Sequence, residues 1–234
     1  MHSVIKGTLA ALALALALAA QGVAAQDAKK AAPANPVGAG WGGVVVAEPT
    51  PALNEQQLAA LAKVTAYFNA LQNMKGQFTQ INPDAKRLRG QLYVKKPGRF
   101  RFDYSRPSLQ VVISDGKYLA IQDLDLKTDD RYELDRTPFR LLLKEQVDIL
   151  RDAQVHTVDA TAEGITVTMQ DKSPDAPGKI TLVFVTTPEL ELKEWITTDA
   201  QNLQTRVELS NIDRKEDLDA KLFDIKSVAL QRLQ

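Results

Sequence analysis

The 234-residue chain contains no cysteine. That absence excludes a disulfide, a thiolate nucleophile, a Cys-ligated zinc or iron–sulfur centre and a lipid-modified amino-terminal cysteine. Histidine is scarce too, with His2 at the extreme amino terminus and His156 as the only other imidazole. A His-rich metal site is therefore excluded, and a Ser-His-Asp triad would rest on His156 alone with no G-x-S-x-G elbow to support it. A structural or surface role for His156 is the expectation, and no catalytic residue is assigned. Walker A and G-x-G-x-x-G runs are missing, so no loop is built to cradle phosphate. Asp123, Asp125, Asp129 and Asp130 resemble a calcium loop, but Lys127 stands where a ligand is required and Leu134 where the bidentate Glu belongs; a hairpin turn is expected instead. Lys plus Arg and Asp plus Glu each total 29, so no net charge draws the chain to nucleic acid. No metal, cofactor or nucleic-acid partner is expected.

What is present is enough apolar content, 44%, for a core, with 25% charged residues to keep the chain in solution. Lys6 precedes an unbroken Leu/Ala run from Leu9 to Ala20, followed by Gln21-Gly22-Val23-Ala24-Ala25. This reads as a secretory signal peptide over 1–25, too short for a transmembrane span that needs about 20 apolar residues. Residues 26–52 are rich in Ala, Pro and Gly and read as a flexible tether, with Trp41 either a sticky element of it or a docking residue. The folded domain is expected over 53–234.

Asn54 and Gln57 have the spacing of a capping box, with Leu53 and Leu58 placed as a hydrophobic staple. The stripe Leu58, Leu61, Phe68 and Leu71 predicts an amphipathic helix ending near Asn73. The period then falls to two. Leu88 to Val94 and Phe100 to Tyr104 alternate with polar residues on either side of Pro97-Gly98, and Val111, Ile113, Leu119 and Ile121 continue the rhythm through Ser114-Asp115-Gly116. Thr137-Pro138, as N-cap and N1, opens a short and very apolar helix over 137–150. Strands resume at Ile165–Met169, Ile180–Phe184, Leu190–Leu192 and Leu203–Leu209, and a parity slip between Leu192 and Trp195 indicates a bulge. Leu222 to Gln234, with Phe223, Ile225 and Val228, reads as a final strand. The sum is an α+β fold, one antiparallel sheet of about ten or eleven strands that must curl or be covered. Two helices can cover its concave face without filling it, which leaves an apolar cavity. Arg87, Arg89, Arg99 and Arg101 form a basic stripe on the polar faces of neighbouring strands, either solvated or a contact patch for an acidic partner.

Three blocks carry a resemblance: Lys75-Gly76-Gln77-Phe78-Thr79-Gln80; Gly90-Gln91-Leu92-Tyr93-Val94-Lys95-Lys96-Pro97-Gly98-Arg99-Phe100-Arg101-Phe102; and Val111-Val112-Ile113-Ser114-Asp115-Gly116-Lys117. In that order and spacing the sequence resembles the LolA family of periplasmic outer-membrane lipoprotein carriers. The resemblance implies an incomplete, unclosed antiparallel β-barrel with a helical lid. It implies triacylated lipoproteins as cargo, received from the inner-membrane ABC transporter of the Lol system and passed to an outer-membrane acceptor where one exists. It also implies a monomer located in the periplasm and no enzymatic activity. By similarity, Phe100 and Phe102 line the acyl cavity, with Leu92, Val94, Tyr104, Val111, Ile113 and the lid residues Phe139, Leu142 and Leu143 beside them. The family's basic-basic-Pro turn carries an Arg that latches the lid; here Lys96 stands there, without the planar fork of a guanidinium. Envelope-stress regulators that bind a partner protein and sense lipid share this fold. A lipid-sensing interaction module is therefore the alternative reading, although the 181 residues from Asn54 leave little room for such regulators' second domain.

Overall fold

The computed structural model describes residues 52–137 and 139–228, so the export signal and nearly all of the tether lie outside the described residues. Helix α1 (Glu55–Ala70) begins with the expected capping box: the Asn54 side chain accepts from Gln57 N at 2.9 Å and Gln57 Oε1 accepts from Asn54 N at 3.0 Å. Its buried stripe is Leu61, Val64 and Phe68 with Ala60 and Tyr67, whereas Leu58 is 42% exposed and does not belong to it.

Eleven strands follow: β1 (Asn73–Ile81), β2 (Arg87–Lys95), β3 (Arg99–Tyr104), β4 (Gln110–Asp115), β5 (Tyr118–Asp123), β6 (Thr128–Glu133), β7 (Ala153–Ala160), β8 (Gly164–Asp171), β9 (Lys179–Val185), β10 (Glu191–Thr198) and β11 (Gln204–Asp213). They form one antiparallel sheet in the order β6-β5-β4-β3-β2-β1-β11-β10-β9-β8-β7. Two meanders are thus sewn together where the first strand pairs with the last, and β6 and β7 are left as unpaired edges. The chain between these edges, 134–152, is therefore the segment that spans the gap where a closed barrel would have had a β6–β7 ladder.

That segment is not the single helix expected over 137–150. It comprises a 3₁₀ turn (Leu134–Arg136) and two short helices, α2 (Arg140–Leu143) and α3 (Ile149–Asp152). Thr137 does not cap α2; its hydroxyl donates to Leu134 O at 2.9 Å. Asp148 instead caps α3 by accepting from Arg151 N.

Two glycines are required by the packing. A Cβ on Gly90 would sit 2.6 Å from the Phe78 ring, which lies across that position. Gly98 turns between β2 and β3 at φ +69° with its Cα backed onto Gly116, where a Cβ would come within 2.8 Å. The predicted bulge is present as a register shift between Leu192 and Glu194. The predicted final strand is absent: Ala220–Phe223 form a 3₁₀ turn and no strand follows through Val228. This stretch crosses the outer face of the sheet. Leu218, Phe223 and Val228 are buried, Arg101 donates to Leu222 O, and Gln122 donates to Lys226 O.

Candidate apolar carrier site

Alternation in β3 sends Phe100 and Phe102 to the concave face, and the register places Leu92 opposite Phe102 and Val94 opposite Phe100 on β2. From the far half of the sheet come Ile180, Leu182, Leu192 and Trp195; from α1 and the chain after it come Phe68, Leu71 and Met74; and from the spanning segment come Phe139, Leu142 and Leu143. Together these fourteen side chains surround a cavity of about 50 Å³ with no polar group in its wall. A water needs about 10–15 Å³ of such space, so the cavity holds a few water-sized bodies and not an acyl chain. Sequence patterning had indicated a roomier hollow. Interdigitating rings fill it: Phe100 stands 5.9 Å from Phe102 and 5.3 Å from Phe139, while Trp195 lies 6.1 Å from Phe102 and 6.4 Å from Phe139, centroid to centroid. Phe139 is the half-buried member of a lining otherwise closed from solvent, and it marks the mouth.

Of the ten residues singled out from sequence, Leu92, Val94, Phe100, Phe102, Phe139, Leu142 and Leu143 meet around this cavity. Three do not. Tyr104 faces inward beyond it, edge-on to Phe78 at 5.0 Å, with its hydroxyl donating to buried Gln80 at 2.6 Å and its phenol pKa raised by burial. Val111 and Ile113 point to the opposite face, where they pack with Ala120, Leu124 and Ile225. The register pairs Phe102 with Val112 and Phe100 with Ser114, so the even-numbered residues of β4 face inward. Both faces of β4 are covered, and alternation of hydrophobicity could not tell one from the other.

Lys96 is buried, but its ammonium donates to Phe68 O at 2.7 Å and so fastens α1, not the spanning segment. Burial lowers its pKa, opposed by the charge of Glu145. The same turn does hold the lid by a plainer bond, Gly98 N to Leu143 O at 2.9 Å. Three further clasps had no local sequence signature. Arg140 on α2 makes a bidentate pair with Asp171 on β8, at 2.7 and 2.6 Å, and the Asp171 side chain is 1% exposed. Asn69 on α1 grips the Val147 backbone through both amide atoms, donating to its O at 3.0 Å and accepting from its N at 2.8 Å. Lys172 caps α3 by donating to Leu150 O and Arg151 O.

His156 sits at a bulge in β7 with Nε2 buried and making no hydrogen bond. Arg87 pairs with Glu208 and Arg101 with Asp103, so half of the basic stripe is engaged within the chain. Asp123 accepts from Asp125 N and Leu126 N, as in a hairpin turn. Among the described residues no helix is long and apolar enough to cross a membrane.

Residues 69–226, more than half of the chain, match the family described as outer membrane lipoprotein carrier protein LolA. The chain belongs to the LolA family. It is 26% identical over 199 residues to an outer-membrane lipoprotein carrier protein of Methylococcus capsulatus, a span of 81% of this chain and 89% of that one. Among solved structures it is similar to a LolA superfamily protein from Nitrosomonas europaea, at 12% identity and a TM-score of 0.42 over 72% of this chain and 97% of that one. It is also similar to a MucA/MucB complex from Pseudomonas aeruginosa, at 10% identity and a TM-score of 0.42 over 75% and 62%. The unclosed antiparallel sheet with helices on its concave face is the architecture expected from the LolA resemblance.

Proposed function

We propose that this protein is a non-enzymatic periplasmic carrier that takes the acyl chains of triacylated lipoproteins into the cavity between the sheet and the 134–152 segment. In this reading it receives cargo from the Lol transporter of the inner membrane and delivers it toward the outer membrane. The observation that carries the reading is the composition of that cavity: fourteen apolar side chains, contributed by both half-sheets, by α1 and its C-cap, and by a lid that joins the two free edges. Burying a methylene is worth about 0.8 kcal/mol, so acyl chains gain enough to replace the lid's own contacts if the lid moves off. Lid and cargo then compete for one apolar surface, the one lined by Phe139, Leu142 and Leu143 on the lid side. Loading separates Phe139 from Trp195; unloading lets them meet again.

Native mass spectrometry of the protein purified from periplasm tests this reading. A bound triacylated polypeptide is expected, and Phe139→Glu should lose it while remaining folded, because Phe139 is half-buried whereas Phe100 is only 2% exposed. Wild-type protein that carries a folded partner domain in place of lipid would point to the interaction-module reading, and cargo retained undiminished by Phe139→Glu would refute the pocket.

A further inference from the structure

The two free edges of the sheet are guarded by different means. β6 carries four charged side chains in six residues, Asp129, Asp130, Arg131 and Glu133, and charge along an edge strand discourages a second strand from pairing with it. β7 carries one, Asp159, and its β-branched Val155, Thr157 and Val158 favour pairing. By composition β7 is the edge at risk.

A helix outside the sheet supplies what β7 lacks. The bulge between Val155 and Thr157 breaks the strand at His156 and leaves one regular stretch, 157–160. Alternate residues of an edge strand turn both backbone groups away from the neighbouring strand, so two carbonyls of this stretch face the open edge. They are Val158 O and Ala160 O, and both are taken: Gln57 Nε2 donates to the first at 3.0 Å and Gln56 Nε2 to the second at 2.9 Å. Both donors stand in the first turn of α1, 101 and 104 positions earlier in the chain. Helix capping does not require these bonds. Gln57 serves the capping box through Oε1, which accepts from Asn54 N, and Gln56 has no part in the box. Two side-chain amides thus occupy the acceptors that a further strand would use.

We infer that Gln56 and Gln57 form an edge cap that keeps β7 from pairing with β7 of a second copy of this chain, so that the sheet ends at eleven strands and the protein stays a monomer. This goes beyond the carrier reading and does not depend on it. The occupant kept out is a second copy, because an exposed edge strand can pair antiparallel with its own two-fold mate and needs no other complementary surface. A pairing centred on Val158 sets each Asp159 opposite the other copy's Thr157, so no like charges meet face to face. The same pairing would compete with the two glutamines for Val158 O and Ala160 O, and the donors of α1 hold those positions first.

The test is sedimentation velocity across a concentration series on wild type, Gln56→Ala/Gln57→Ala and Asn54→Ala, each purified from periplasm. The double variant removes both donors and one half of the capping box; Asn54→Ala removes the other half of the box and leaves both donors in place. Wild type and Asn54→Ala should stay monomeric, while the double variant should shift to twice the mass as concentration rises. In that dimer the Val158 amide hydrogen, which points the same way as its carbonyl, should gain protection from exchange. A double variant that stays monomeric overturns the inference, and so does a dimer in which Val158 gains no protection. Equal self-association of Asn54→Ala would assign the effect to fraying of α1 and overturn it as well. Should the double variant fail to fold, Gln56→Ala alone decides, since it leaves the capping box whole: a weaker shift toward dimer is expected, and a monomer at every concentration refutes the cap.

Discussion

One sheet carries two covers, and they are built differently. The inner cover, 134–152, buries Leu141, Leu142, Leu143, Val147 and Ile149, yet beneath it lies the cavity, and half-buried Phe139 stands at the mouth. Its fastenings are hydrogen-bonded clasps to three separate elements: Arg140 to Asp171 on β8, the Val147 backbone to Asn69 on α1, and Leu143 O, which accepts from Gly98 N in the β2–β3 turn. The outer cover, 214–228, borders a half-polar cleft of about 470 Å³ with Arg101, Asp103, Lys221 and Asp224 in its wall, and is anchored by buried Leu218, Phe223 and Val228 and trimmed by exposed ion pairs such as Lys95 with Asp217. Hydrogen-bonded clasps exchange with water at a net cost of about 0.5–1.5 kcal/mol each, whereas a buried aromatic ring has no substitute in water. A cover that comes off needs fastenings that can be exchanged and an apolar guest to take its place; the inner one has such fastenings, and the proposed acyl cargo would be the guest.

The largest expected effect lies in the cover that should not move. Phe223→Ala removes a buried ring from the outer strap and should lower the unfolding free energy by about 3–5 kcal/mol in urea titrations. Acyl-probe affinity per folded molecule should be unchanged; an affinity that falls in step with stability would show that the two covers are coupled. Next comes Arg140→Ala, which strands the Asp171 carboxylate. An unpaired buried charge would cost about 3–5 kcal/mol if nothing moved. Here the lid can lift and let water reach Asp171, so part of that cost is relieved by local opening. It should appear as faster amide exchange confined to 139–152 with the global urea midpoint nearly intact. A global loss without local opening would make the lid a fixed part of the core.

The contrast between the covers also explains what the sequence could disclose. Strand rhythm, the capping box at Asn54 and the bulge after Leu192 are local patterns, and each was legible. So were Phe100 and Phe102, because a strand solvated on one face alternates. Alternation stopped being informative at Val111 and Ile113, where the outer strap buries the second face of β4 and every residue from Val111 to Ser114 is closed from water. The strap itself was misread for a related reason: Phe223, Ile225 and Val228 are apolar because they cover a sheet, and spacing alone cannot separate a covering segment from a strand within it. The clasps join residues 31 and 78 positions apart, and neither Arg140 nor Asn69 carries any local sign of its partner. Trp195 belongs to the cavity only through the β1–β11 seam that brings the two meanders face to face.

The smallest expected effect sharpens the comparison by acid. On the inner cover Asp152 accepts from Arg151 at 2.9 Å and from Lys144 at 3.1 Å, and these bonds hold its carboxyl down to about 2. On the outer cover Asp217 is lowered too, by Lys95. A carboxylate whose pKa is depressed in the folded state contributes its stabilisation fully above the unfolded value, about 3.9, and loses it as pH falls toward the folded one. Both covers should therefore loosen as pH falls below about 4, but unequally in salt. The Asp217 side chain is 84% exposed and its pair is screened by ions, whereas that of Asp152 is 17% exposed and is largely shielded. Amide exchange, corrected for its intrinsic pH dependence, should show the strap already loosened by 0.5 M salt at pH 6 and the lid loosened only by acid. A lid whose exchange stays flat down to pH 2.5, or responds to salt as the strap does, would mean that Lys144–Asp152 does not help to hold the lid closed.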